Sequence, residues 1–267
     1  MKFGRHLIHA EPWSDIVATI CRPHAWIHMG HMDLKQRYRD SVIGPWWICI
    51  QTGVTLTSVG YVYSEIFHAP LAVYIPYLTI GLTLWYYTAT SLSEGCNALI
   101  ESAPILKQVR FPIPAILLRV LYRNFLILLH NIPLVIGVLV FYRPQTIGLG
   151  LEALLGFAIY LTNIFWLGIL LAIMGLRFRD MPQILSALLG LLMLVTPIFW
   201  DVSVLARPIA LVEYNFFHHL ISVVRAPLLG HSATSTNWAW ALVGSLTGWI
   251  ITLLLYKRTY LRLAYWI

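Results

Sequence analysis

The sequence predicts an all-α integral membrane protein with six transmembrane helices, and three observations carry that reading. Of 267 residues, 59% are apolar and only 11% charged, whereas a water-soluble domain carries roughly 25% charged residues. Six apolar runs come near the ~20 residues that a spanning helix needs. The lysines and arginines between those runs fall on alternate sides of the predicted membrane, the pattern that sets orientation.

Residues 1–45 form a cytoplasmic and interfacial segment. Met1–Ala10 is charged and lacks a long apolar core, so the first span is expected to act as its own insertion signal. An amphipathic interfacial helix is predicted over Pro23–Arg39. Trp26, Ile27, Gly30, Leu34 and Tyr38 share one face at helical spacing, with His28, Lys35 and Arg39 opposite. The basic run Asp33–Ser41 ends at Gly44-Pro45, and the first span, Trp46–Phe67, follows at once. His68–Pro70 is so short a gap that the second span, Leu71–Ser93, must fold back as a hairpin. A longer segment, Glu94–Pro114, has room for a short cytoplasmic helix that another protein could grip. The remaining spans are Ala115–Phe141, Leu151–Gly175, Pro182–Trp200 and Trp238–Tyr256, with Pro133 a kink site in the third. Asp201–Asn237 is too apolar for a solvated loop and reads as two short helices dipping back into the outer leaflet, where irregular backbone must be covered by protein or line a cavity. Residues 257–267 form the tail. The chain reads as one domain over 1–267, with residues 46–256 as the bundle.

With both termini in the cytoplasm, every Lys and Arg except Arg143, Arg207 and Arg225 lies inside. The net charge of +7 therefore fits membrane orientation, and no nucleic-acid partner is expected. Cys21, Cys49 and Cys96 show no paired spacing, which argues against a disulfide framework or a zinc site. No phosphate loop or Gly-rich nucleotide fingerprint is present, so no cofactor is expected, and any nucleotide hydrolysis belongs to another subunit.

Four arginines lead the functional candidates: Arg37, Arg39, Arg119 and Arg123. The last two are four apart and share a helix face. Guanidinium groups at the inner surface suit a pyrophosphate headgroup; they equally suit snorkelling and topology setting. Aromatic residues crowd the first two spans: Trp46, Trp47, Tyr61, Tyr63, Tyr74, Tyr77, Trp85, Tyr86 and Tyr87. Such faces can stack on sugar rings along a conduit, or form an interfacial belt. His28 and Asp33 form a His-x-x-x-x-Asp pattern without a further catalytic partner. His218 and His219 adjoin and cannot point the same way on a helix. Glu65 reads as a rim charge.

Several stretches match a known family in order along nearly the whole chain. They are the basic run into Trp46, Leu176-Arg177-Phe178-Arg179-Asp180, Thr196-Pro197-Ile198-Phe199-Trp200, His219–Gly230 and the tail Arg262–Ile267. Together they resemble the permease subunit of type-2 ABC exporters of O-antigen, capsule or teichoic-acid polymers. The resemblance implies a homodimer in the bacterial inner membrane, with two copies of a separate ABC ATPase and a lipid-linked glycan as cargo, most simply O-antigen. It implies a gate loop at Ser41–Pro45, centred on Gly44, with Ile43 where the family usually has leucine. It implies an ATPase-coupling helix around Asn97, Glu101 and Ser102. It implies periplasmic gate helices carrying Asn215, His219, Arg225 and Pro227. Phe216 follows Asn215 where the family commonly has proline, which leaves the start of the second gate helix open. Two other classes compete: a membrane-embedded transferase, for which no acidic pair is well arranged, and a multidrug exporter permease, which often has longer external domains.

Overall fold

The computed structural model describes residues 12–44, 46–109, 111–142, 150–202 and 209–266, and these residues form helices joined by turns, with no strand among them. In chain order the helices are α1 (Pro12–Cys21), α2 (Pro23–Arg37), α3 (Trp46–Ile66), α4 (Leu71–Glu101), α5 (Ala103–Gln108), α6 (Ile113–Tyr142), α7 (Gly150–Arg177), α8 (Met181–Val195), α9 (Ala210–Glu213), α10 (Phe216–Leu228) and α11 (Ser235–Trp266). Pro45, Arg110, Arg143 and Arg207, which enter the expectations above, lie outside the described residues.

The centre of the bundle is α4. It packs along α6 on one side and α7 on the other, while α7 carries α10 and α11 on its far face. Leu78, Leu82, Trp85, Tyr160, Ile164, Leu220 and Val223 form the core where these helices meet. A second core of Leu99, Ile116, Leu117, Ile173, Leu176 and Tyr260 lies nearer the C-terminal end of α4. Close approach depends on Gly156, where an added Cβ would collide with the Val223 backbone of α10.

The helices largely fall where the apolar runs place them. Differences arise at the ends, where helices continue past the apolar stretch because charged and polar residues extend the backbone hydrogen-bond ladder. Thus α4 continues through Glu94 and Asn97 to Glu101, and α11 continues to Trp266. The short helix expected between residues 94 and 114 is α5, which begins only after Ser102; Asn97 and Glu101 therefore sit on the last turns of α4. The fifth run stops early. Pro197 pushes Thr196 into an extended conformation (φ −75°, ψ 132°) and ends α8 at Val195. At about 1.5 Å per residue, the 15 residues of α8 rise about 22 Å, short of a ~30 Å hydrocarbon core.

By length and composition, α6, α7 and Ser235–Leu263 of α11 are long and apolar enough to cross a membrane. The helices α3 and α4 have the length, but Gln51, Thr52, Thr83 and Thr90 dilute their apolarity. Those polar residues all open onto one cavity.

The helix expected over Pro23–Arg39 forms as α2 and ends at Arg37. Gly30 is buried and His28, Lys35 and Arg39 are exposed. A Cβ at Gly30 would lie 2.8 Å from Tyr122 Cδ1 and 3.1 Å from the Arg119 carbonyl, so only glycine lets α2 settle against α6. In the segment 201–237, α9 is a single turn and α10 a buried amphipathic helix packed on α7, α11 and α4.

Candidate functional site

Charged side chains from three helices meet where α2 crosses α6. Arg119 donates through Nε and Nη2 to the two Asp33 carboxylate oxygens, at 2.5 and 2.6 Å, the paired fork that makes arginine–carboxylate contacts strong. Arg123 Nη2 donates to Glu94 Oε2 at 2.5 Å, and its Nη1 lies 3.5 Å from Asp33 Oδ2. Asn124 Nδ2 also donates to Glu94 Oε2, at 2.8 Å, and Arg37 Nη2 donates to Oε1 at 3.0 Å. Three guanidinium groups thus share two carboxylates, leaving one positive charge in excess.

Arg119 and Arg123 do share a helix face, but both are engaged by Asp33 and Glu94. Asp33 was visible as a lone carboxylate one turn beyond Gly30, the residue that brings α2 close. Sequence reasoning set it in a histidine motif instead, and no local spacing joins it to Arg119. Beside the network, burial raises the Tyr38 phenol above its ordinary pKa; the neighbouring Arg37 charge opposes that shift and Glu94 adds to it.

From this network a cavity of about 330 Å³ runs into the bundle between α3, α4 and α6. Arg37, Tyr38 and Asn124 line its charged end; Thr83 and Asn131 lie deeper. From Glu94 back to Thr83 on α4 is about 16 Å at 1.5 Å per residue. The walls are polar for a transmembrane bundle: Gln51 and Thr52 on α3, Tyr86 and Thr90 on α4. Among the described residues, Thr83 Oγ1, Asn124 Oδ1 and Asn131 Oδ1 are buried without a hydrogen-bond partner. Unpaired polar groups at membrane depth are expensive and mark functional positions.

At the other end of the bundle, a second cluster holds the segment Thr196–Trp200. Buried Arg225 of α10 donates to the Pro197 carbonyl at 2.7 Å, and its guanidinium stands 3.9 Å over the Tyr77 ring. The Tyr77 hydroxyl donates to the Pro197 and Trp200 carbonyls at 2.9 and 3.0 Å, and the Tyr74 hydroxyl donates to the Phe199 carbonyl. Asn215 caps α10, accepting from the Phe217 and His218 amides at 3.0 and 3.2 Å while donating to Thr196 Oγ1 at 3.0 Å. The helix therefore starts at Phe216 without a proline, because the asparagine side chain supplies the cap. His219 stacks on Trp240 and bridges Asn237 Oδ1 and the Glu213 carbonyl, each at 2.7 Å. Pro227 is buried near the end of α10.

The other sequence candidates do not converge. Trp85 is 1% exposed, edge-on to Phe217 in the core. Trp46, Trp47 and Tyr61 lie on the open face of α3. Arg39 is exposed. Gly44 adopts φ +60°, a conformation glycine tolerates without strain. Asn97 donates to the Ser93 carbonyl at 3.2 Å, Glu101 is exposed, and Ser102 is buried at the helix end.

A bundle of long apolar helices enclosing a polar cavity is the architecture of a multi-pass membrane protein. Residues 25–229 match the ABC-2 type transporter family, and the chain belongs to that family. It is similar to an O-antigen export system permease protein RfbA of Myxococcus xanthus, 24% identical over 230 residues, spanning 80% of this chain and 88% of that protein. A protein of the same name from Klebsiella pneumoniae is 25% identical over 225 residues, covering 83% and 85% of the two chains. A second Klebsiella pneumoniae relative of that name is 25% identical over 189 residues, covering 68% and 71%.

Proposed function

We propose that this chain is the membrane subunit of an ATP-driven exporter that moves a lipid-linked polysaccharide, most simply O-antigen, from the cytoplasm to the periplasm across the bacterial inner membrane. Two copies form the passage, and two copies of a separate ABC ATPase drive it. The family membership carries this reading, and the polar cavity and charged network inside an apolar bundle support it. The relatives named above, all O-antigen permeases, favour O-antigen over capsule or teichoic acid.

In this reading both termini are cytoplasmic and the chain crosses six times, with α8 and the segment 196–202 together making the fifth crossing. The helices α9 and α10 dip into the outer leaflet as a gate held by Asn215, His219, Arg225 and Pro227. The loop around Gly44 gates the inner side, next to Arg37 and Arg39. The end of α4 with α5, carrying Asn97, Glu101 and Ser102, meets the ATPase. Arg119 and Arg123 greet the anionic linker of the cargo by exchanging carboxylates for phosphate oxygens. The exposed aromatics Trp46, Trp47 and Tyr61 face the shared conduit, while Tyr77 and Trp85 act from the core by stiffening its wall. Bundle movement follows ATP binding as rigid-body rocking.

The test is genetic and biochemical. Deleting the gene in its native host should abolish surface polysaccharide and accumulate the lipid-linked glycan inside, and re-expression should restore export. A tagged chain should retain an ABC ATPase in equal amount. Normal surface polysaccharide in the deletion strain would sink the proposal.

A further inference from the structure

We infer that the cavity between α3, α4 and α6 is a binding site within a single subunit for one uncharged, hydroxyl-bearing sugar ring of the cargo. This rests on the export reading and adds a defined place for the sugar next to the carrier. The unpaired atoms carry the argument. Thr83 Oγ1, Asn124 Oδ1 and Asn131 Oδ1 are buried and, among the described residues, make no hydrogen bond. All three residues line the same cavity. These oxygens are covered by the cavity wall as the side chains stand, and side-chain rotation brings them to an occupant; two amide oxygens accept and a threonine hydroxyl does either, so the complementary ligand donates hydrogen bonds and accepts at least one. An acyl chain satisfies none of them.

Charge narrows the class further. Among the described residues, the single cation lining the cavity is Arg37, at its mouth and paired to Glu94 at 3.0 Å, and no carboxylate lines it. An anionic group therefore fits only the mouth, and the interior suits a neutral ring. The volume of about 330 Å³ lies at the lower end of the ~300–1,000 Å³ range of small-molecule sites, which limits the occupant to a short piece of a glycan. Tyr86 adds a partly exposed aromatic wall, and such a wall can stack on a sugar face.

Photo-cross-linking in the native host tests this. Benzoylphenylalanine replaces Ile48 or, on the opposite wall, Thr90, and the probe is the cell's own lipid-linked glycan. A control replaces Leu254, which is exposed on α11. Irradiation should give a glycan-bearing adduct at the cavity positions and none at Leu254. Asn131→Leu, or the isosteric Thr83→Val, should lower adduct yield about five- to tenfold, as expected for one lost hydrogen bond. Thr83→Val should not lower the melting temperature of the purified protein, because it removes a hydroxyl that lacks a partner among the described residues. Unchanged yield in both variants, an adduct with carrier lipid alone, or no adduct while surface polysaccharide remains normal would each overturn the site and leave export standing. Normal polysaccharide without the chain would overturn export itself.

Discussion

Arg225 shows how one residue acquires a meaning that its charge alone does not supply. Positive-inside counting leaves it on the wrong side, and in the folded chain it is 5% exposed. Its charge is spread over the Tyr77 ring and the Pro197 carbonyl, so α10, α4 and the end of α8 are tied through one guanidinium. Arg225→Gln keeps a donor but loses the cation over the ring, and should destabilise the purified protein by about 1–3 kcal/mol. Tyr77→Phe releases two carbonyls and should cost about as much. Because both act on Pro197, the double variant should lose less than the sum, with a coupling of about 1 kcal/mol measured by denaturation in detergent. Strict additivity would mean that the two side chains work independently.

At the scale of elements, legibility followed periodicity. The apolar runs placed α3, α4, α6, α7 and α11, and the stripe Trp26–Tyr38 placed α2, because these patterns are local and repeat at the helical period. The true ends of α4 and α8 were less legible. A helix runs on through Glu94 and Asn97 without further apolar residues, and it stops at Thr196 because one proline outweighs the apolar residues after it. The candidate site was the least legible. The arginines could be picked out, but their partners Asp33 and Glu94 come from helices 86 and 29 positions away in sequence, and no spacing rule connects them. The docking of α2 is the element-level consequence. Gly30→Leu should push α2 off α6 by filling the space against Tyr122, and Asp33→Asn should loosen it by leaving Arg119 without its fork. Both should hasten trypsin cleavage at Lys35 and Arg37 in membrane vesicles, Gly30→Leu the more. Paired exchange, Asp33→Arg with Arg119→Asp, should recover protection in part. Cleavage that is unchanged in all of them would mean that α2 is held by the lipid surface and not by α6.

For the whole molecule, the question is which face meets a second copy. The polar cavity of one bundle, about 330 Å³, has room for a short piece of a glycan and not for a polymer. Among the described residues, α8 buries Leu185 and Leu189 fully and Met181, Leu192 and Met193 in part, and presents Ile184, Leu188, Leu191 and Leu194 as an open apolar stripe. Behind that stripe, a cleft of about 420 Å³ between α4 and α8 is lined by Tyr86, Ser186 and Glu94. Lipid against this cleft would strand polar groups, whereas a second α8 would close two such clefts into one wider channel. The exposed stripe of α11, with Leu242, Leu246 and Leu254, is apolar and suits lipid. A cysteine at Leu188 should therefore cross-link two copies through a short bifunctional maleimide in native membranes, in a background lacking Cys21, Cys49 and Cys96. A cysteine at Leu246 should give monomer only. Cross-linking at Leu246 but not at Leu188 would move the seam to α11 and return α8, short as it is, to the lipid.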